Sequence, residues 1–256
     1  DLPEAMPQYQ PSKFRDAKRV QKLNTNREGS LLDFIEDFAA RFPQKVDEYE
    51  TLLTENRIWK QRTVSIGVVS PERAVALGFT GPMLRGSGIE WDLRKNEPYS
   101  GYETYDFDIP VGTVGDCYDR YMVRVEEMRQ SCKIASQALE RLAHSKGQDV
   151  LAEDRRYVLP PRGKVMDSME ELIHQFKIVT DLRLPKGEAY GAVEAAKGEL
   201  GFYSVSDGTA TPVRMHIRAP GLMNVQAIPL LAEGRLLSDI VAIIGSLDFV
   251  MGEVDR

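Results

Sequence analysis

From Leu31 onward, apolar residues recur at three- and four-residue steps. Leu31, Phe34, Ile35, Phe38 and Phe42 form one stripe, with Ser30 placed to cap it. Pro43 interrupts the run, so the pattern predicts a second helix over residues 44–57, with Val46, Tyr49, Leu52 and Leu53 as its apolar face. Residues 63–69 are a β-branched run that reads as a strand or extended link. Residues 70–78 carry the signals of a short helix: Ser70 caps it, Pro71 sits in the first turn, Glu72 favours the dipole and Gly78 stops it. Residues 81–115 have no long periodicity and are rich in Gly, Pro and aromatics, so other parts of the molecule must pack on them.

The strongest helix follows. Asp116 caps it, and Cys117, Tyr121, Val125, Met128, Cys132, Ala135, Leu139 and Leu142 recur at steps of four and three, which predicts a bundle helix of roughly seven or eight turns. Residues 145–163 read as a polar loop, and residues 166–179 as an amphipathic helix with Met166, Met169, Leu172, Ile173 and Phe176 facing inward. The period then changes to two. Residues 188–221 predict three short strands with a turn at Ser206, Asp207 and Gly208. Two helices close the pattern, over residues 222–231 and 235–244. The second is apolar almost all round and is expected to be buried. The fold class is α+β, mainly α, with residues 1–29 a basic N-terminal arm and residues 30–256 one domain.

Composition narrows the function. The chain has 256 residues, 42% of them hydrophobic, enough for a substantial core. The formal charge of −6 disfavours a nucleic-acid partner, and no apolar run is long enough to span a membrane. Cys117 and Cys132 make neither a metal motif nor a disulfide framework; they lie on the apolar stripe and read as small core residues of a protein from a reducing compartment. The first residue is Asp1, so the chain is expected to be processed, truncated or one piece of a larger polypeptide, and no signal peptide is visible. There is no GxGxxG after a strand, no phosphate loop and no CxxC, and His144, His174 and His216 are scattered over different elements. Arg124, Glu126, Glu127 and Arg129 form a charged helix face or supply buried ion pairs. The residues alone imply a domain without self-contained catalytic equipment that works as part of an assembly.

Longer stretches carry a resemblance. They are NRIWKQRTVSIGVVSPERAVALGFTGPMLRGSGIEWDLRK (residues 56–95) and YDFDIPVGTVGDCYDRYMVRVEEMRQS (residues 105–131). SMEELIHQFK, GEAYGAVEAAKGELGFYSVSDG, RMHIRAPG and GSLDFVMGEVDR follow in the same order. From about Ser30 to the end, the chain resembles the 49 kDa-type family of respiratory complex I, the proton-pumping NADH:quinone oxidoreductase. Asp1, Leu2 and Pro3 are similar to a family DLP.

The resemblance implies a hydrogenase-large-subunit-like helical bundle with a small antiparallel sheet. Nickel–iron hydrogenases end in an Asp-Pro-Cys-x-x-Cys motif. Aligned on Asp248, this chain has Phe249, Val250 and Glu253 in place of Pro and the two cysteines, so it lacks the soft ligands nickel needs. The resemblance further implies that the vacated cavity serves quinone, ubiquinone being expected, beside a terminal 4Fe-4S cluster held by a neighbouring subunit. Asp248, Val250 and Arg256 match family positions near that cavity. No catalytic or metal-binding residue is expected in this chain alone, and NAD is a ligand of the complex as a whole. The implied partners are the terminal-cluster subunit, the 30 kDa-like subunit, the missing N-terminal half of the 49 kDa-type subunit, and the membrane-arm subunit at the quinone entrance.

A split subunit is expected, since the family's N-terminal half is absent. The basic segment 12–27 reads as a departure from the family. It points to the matrix side of the mitochondrial inner membrane, with the cytoplasmic side of a bacterial inner membrane as the alternative. Two other functions compete. One is a hydrogenase-type metalloenzyme, which the absent cysteines disfavour. The other is a structural or assembly subunit that keeps the fold without touching quinone.

Overall fold

The computed structural model describes residues 31–144, 154–156, 158–180 and 183–255. The arm over residues 1–29, the Ser30 cap, most of the polar loop and Arg256 lie outside the described residues. Helix α1 (Leu31–Leu53) runs unbroken through Pro43, where the sequence pattern predicts two helices. Proline removes one backbone hydrogen bond, but Ala39 before it and Val46 after it are both buried, and this burial on either side offsets the lost bond. Their partner is the long helix α6, introduced below.

Helix α2 (Arg57–Thr63) begins at Asn56, whose side chain accepts from the Ile58 and Trp59 amides. The expected strand over residues 63–69 does not form. Ser65 and Gly67 both adopt a left-handed φ of 61°, which turns the chain out of an extended course. Only isolated bonds remain: Cys117 N–H donates to the Ile66 carbonyl at 3.0 Å, and Val69 N–H donates to the Gly115 carbonyl at 3.0 Å. Helix α3 (Pro71–Ala76) forms as its caps predict, with Ser70 Oγ accepting from the Arg73 amide. The aperiodic segment holds α4 (Pro82–Gly86), α5 (Leu93–Asn96) and a 3-10 turn (Tyr102–Thr104).

Helix α6 (Cys117–His144) has 28 residues, and Asp116 Oδ1 accepts from the Asp119 amide at its start. Both cysteines are buried on its stripe. Next come α7 (Arg162–Asp167) and α8 (Met169–Thr180), which divide the single helix expected there at Ser168. Their apolar face is not inward: Met166, Met169, Ile173 and Phe176 are exposed in this chain. The three strands β1 (Gly187–Ala195), β2 (Gly198–Ser206) and β3 (Arg214–Arg218) form an antiparallel sheet in sequence order.

The chain then folds as α9 (Pro220–Gln226), α10 (Ile228–Ala232), α11 (Leu237–Leu247) and α12 (Met251–Val254). Pro229, in the first turn of α10, divides what reads as one helix over residues 222–231. Helix α11 is not buried all round, as its apolar sequence predicts; it buries Asp239, Ile243 and Leu247 and exposes Leu237 and Val241. The core gathers Ile66, Val69, Phe79, Met83 and Leu84 against Cys117, Leu231, Ile243 and Leu247. No helix among the described residues is long and apolar enough to cross a membrane.

Candidate functional site

Every residue of α4 is buried, and Arg85 is among them at 1% exposed. A buried guanidinium requires partners. Its Nε and Nη2 donate to Glu127 Oε1 of α6 at 2.9 and 2.6 Å. Its Nη1 donates to Glu194 Oε1 of β1 and to the Trp91 carbonyl, both at 2.9 Å, and lies 3.5 Å from Asp92 Oδ2. Asp92 caps α5 by accepting from the Arg94 amide at 2.9 Å, and its carboxylate also takes the Arg94 guanidinium, with Nη2 at 2.6 Å. Leu93 N–H donates to Glu194 Oε2 at 3.3 Å. Four separate segments therefore meet on one charged cluster.

The sheet reaches this cluster because its hairpin tip can approach α4 closely. Gly81 and Gly198 have φ of 61° and 135°, and a Cβ on Gly81 would lie 2.5 Å from the Gly198 Cα. Only glycines permit both the dihedrals and the contact. Burial works against the charge on Arg85, yet Glu127, Glu194 and Asp92 hold it above the ordinary arginine range. Burial pushes at Asp92 as well, but Arg94 and Arg85 keep its carboxyl below the usual carboxylate range. For Glu194 burial prevails over Arg85 and raises the carboxyl above its ordinary value.

The cluster forms one wall of a cavity of about 720 Å³, together with Arg124 and Asp248. The facing side is apolar: Ile35, Phe38, Ala39 and Phe42 of α1, and Met128, Cys132 and Ala135 of α6. A second cavity of about 770 Å³, lined mainly by apolar groups such as Trp59, Tyr121, Val125 and Val241, lies between α2, α6 and α11. Arg124 and Met128 line both, so they stand on the partition.

The structure places the three residues expected at the cavity differently. Asp248 ends α11 with a left-handed φ of 49° and lines the first cavity. Lys197 Nζ, at the β1–β2 tip, lies 2.6 Å from its Oδ2, and Arg124 Nε lies 3.5 Å from the same oxygen. Val250 precedes α12, is 45% exposed, and is absent from the lining of both cavities. Arg256 lies outside the described residues. Glu253, at the position of the second hydrogenase cysteine, accepts from the Gly221 amide at 2.9 Å and fastens α12 to α9.

Of the charged face expected on α6, Glu127 enters a buried ion pair with Arg85, whereas Arg124 pairs with the half-exposed Asp248 and Arg129 with Asp47 and Glu50 of α1. His216 is exposed on β3, and His174 Nε2 is buried without a hydrogen-bond partner on α8. Among the described residues, no three His, Cys, Asp or Glu side chains are grouped to hold a metal. Sequence reasoning missed Arg85, Asp92, Arg94, Glu194 and Lys197. Asp92 and Arg94 pair locally, but the residues they join are distant in the chain, Glu194 lying 109 residues from Arg85, so no local pattern marks the cluster.

Comparison with known proteins agrees with the resemblance. Residues 20–256 match the family described as the respiratory-chain NADH dehydrogenase 49 kDa subunit. A protein of Nitrosococcus oceani, named as an NADH-quinone oxidoreductase subunit of the D type, is 60% identical over the whole of this chain and 61% of its own length. Proteins of the same name from Acidithiobacillus ferrooxidans (59% identical) and Herminiimonas arsenicoxydans (60% identical) align over the same shares. The alignments run through residues 1–29, so the basic segment has a counterpart in these bacterial proteins and is no departure from them. This chain spans 61% of the length of the curated relatives it matches. With family match, identity and order of motifs in agreement, the chain belongs to the 49 kDa subunit family of the respiratory-chain NADH dehydrogenase.

Proposed function

We propose that this chain is the C-terminal part of a core subunit of an NADH-quinone oxidoreductase and forms one side of a cavity that receives quinone. The observation that carries the reading is the cavity of about 720 Å³ with an apolar side on α1 and α6 and a charged wall of Arg85, Arg94, Arg124, Glu127, Glu194 and Asp248. A quinone has an apolar body and two carbonyl acceptors, which such a site suits. Arginine supplies the fixed donors for those oxygens.

An iron–sulfur cluster does not fit this chain alone. Such clusters take four cysteine thiolates. The chain has two cysteines, on one helix, separated by fifteen residues and hence about 22 Å of helical rise. In this reading a terminal 4Fe-4S cluster takes its thiolates from outside this chain, from a neighbouring subunit. The other partners in this reading are the 30 kDa-like subunit, the remainder of the 49 kDa-type family length, and a membrane-arm subunit. The bacterial origin of the relatives favours the cytoplasmic side of a bacterial inner membrane over the mitochondrial matrix side. A second reading, a structural subunit without quinone contact, draws on the position of Val250 outside both cavities.

The test uses the assembled complex with Ala135→Phe, which adds bulk inside the cavity, and Val250→Phe. Overpacking costs roughly 1–3 kcal/mol where walls cannot move. Ala135→Phe is expected to raise the KM for quinone and shift inhibitor potency, with NADH oxidation by an upstream artificial acceptor unchanged. Val250→Phe shows the same pattern, more weakly, if partner subunits extend the cavity to it. Quinone kinetics untouched by both variants at equal complex content favour the structural reading and overturn the cavity assignment.

A further inference from the structure

The buried cluster around Arg85 carries an excess charge. Two guanidiniums, Arg85 and Arg94, meet three carboxylates, Asp92, Glu127 and Glu194. The side chains of Arg85, Asp92 and Glu194 are 2%, 0% and 3% exposed and those of Arg94 and Glu127 16% and 19%, so water screens the difference only in part. An uncompensated carboxylate at such depth is neutralised by a proton more readily than it stays ionised.

Hydrogen-bond allocation decides which carboxylate that is. Glu127 takes two donors from Arg85, and Asp92 takes the Arg94 guanidinium together with the Arg94 amide. Glu194 receives a single Arg85 N–H, on a nitrogen shared with the Trp91 carbonyl, and a longer bond from the Leu93 amide. Its own backbone N–H donates to the Tyr99 hydroxyl. Across the strand pair stands Glu199, whose carboxylate accepts from the Tyr190 hydroxyl and whose carbonyl accepts from Arg218.

Farther along the same wall, Arg124 and Lys197 surround Asp248 with one positive charge in surplus. Arg124, Lys197 and Asp248 are 21%, 23% and 38% exposed, so solvent screens part of that surplus, and within the cluster Arg124 acts on Glu127 of its own helix.

We propose that Glu194 is a proton-exchange site on the cavity wall: it holds a proton that the cavity can take, and Arg85 holds the carboxylate left behind. The direction in which burial moves Glu194, upward, agrees with this. A carboxyl raised in the folded state contributes stability below the ordinary glutamate range and loses it as pH rises through its folded value. The use of the proton rests on the quinone reading above. A quinone reduced by two electrons from a partner's iron–sulfur centre needs two protons to become quinol. Glu194 supplies one, its O–H bond breaking as the quinol O–H forms; solvent in the cavity supplies the second proton and the one that restores Glu194.

The experiment compares assembled wild-type complex with Glu194→Gln and Glu194→Asp. Infrared difference spectra between acid and alkaline pH read a protonated carboxyl without turnover. The expected result is a buried carboxyl band in the wild type, lost in Glu194→Gln and displaced in Glu194→Asp. Quinone reduction by Glu194→Gln is expected to fall at least tenfold in kcat and to lose its alkaline limb, with KM and upstream NADH oxidation unchanged. The glutamine balances the cluster at two positive and two negative charges, so the variant is expected to assemble; the aspartate keeps the test open if it does not. The band lost with quinone kinetics untouched upholds the proton site and overturns its use by quinone. An identical band in wild type and Glu194→Gln overturns the proton site whatever the kinetics.

Discussion

Arg85 and Arg120 are equally deep, at 1% and 0% exposed, and they are answered in opposite ways. Arg85 is met by carboxylates on α6, α5 and β1. Arg120 has no carboxylate within hydrogen-bond reach among the described residues. Its Nη1 donates to the Gly115 carbonyl at 2.9 Å, its Nη2 to the Gly67 carbonyl at 3.0 Å and the Cys117 thiol at 3.3 Å, and its Nε to Ser246 Oγ at 3.1 Å. Burial lowers the Arg120 pKa, whereas the carboxylates around Arg85 raise that of Arg85. Arginine keeps its charge in both places. Carbonyl dipoles do not titrate, so Arg120 is a fixed joint between the loop after α2, the start of α6 and α11. Carboxylates do titrate, so the surroundings of Arg85 can change charge. The fixed region lies in the core and the changeable one lines a cavity.

The largest expected effect breaks the changeable region. Arg85→Ala leaves three carboxylates without their shared cation, and losing one partner of a buried pair costs about 3–5 kcal/mol. Hydrogen exchange at α4, α5 and β1 in the assembled protein measures it, and protection equal to wild type contradicts the assigned role. Arg120→Met should cost less, about 1–3 kcal/mol, because it strands polar groups and also removes a buried charge. Asp116 and Asp119 act on Arg120 without bonding to it, so that loss should change less in acid than the Arg85 loss, which should shrink as its carboxylates protonate. An Arg120→Met penalty that falls in acid as steeply as that of Arg85→Ala would break the contrast. The smallest effect is expected from Lys133→Ala. Lys133 pairs with Asp106 at 2.9 Å on the surface, where solvent screens the pair, and its removal should leave exchange rates and quinone kinetics unchanged.

These differences follow how far apart the interacting residues lie in the chain. Helix α6 was legible because its stripe from Cys117 to Leu142 and its Asp116 cap are local features. The same holds for α3, with Ser70, Pro71 and Gly78, and for the three strands. Pro43 misled because a local rule was outweighed by burial of Ala39 and Val46. Of the site, Glu127 was legible as a buried-pair candidate and Asp248 through the family motif. Arg85 and Glu194 were not, since each is an isolated charge in a Gly- or Ala-rich stretch until the other is brought to it.

The sequence by itself determined which faces are apolar, the helices whose caps are local, such as α3 and α6, and to which family the chain belongs. It did not determine what covers those faces: Met166, Phe176, Leu237 and Val241 obey the helical period and are exposed in this chain. Only the tertiary structure decided that Gly81 and Gly198 bring the sheet against α4, and that five charged side chains from four segments share one buried cluster. The physical reason is range. Periodicity and capping act over a few residues, whereas a buried ion pair joins groups 42 and 109 residues apart that no local pattern connects.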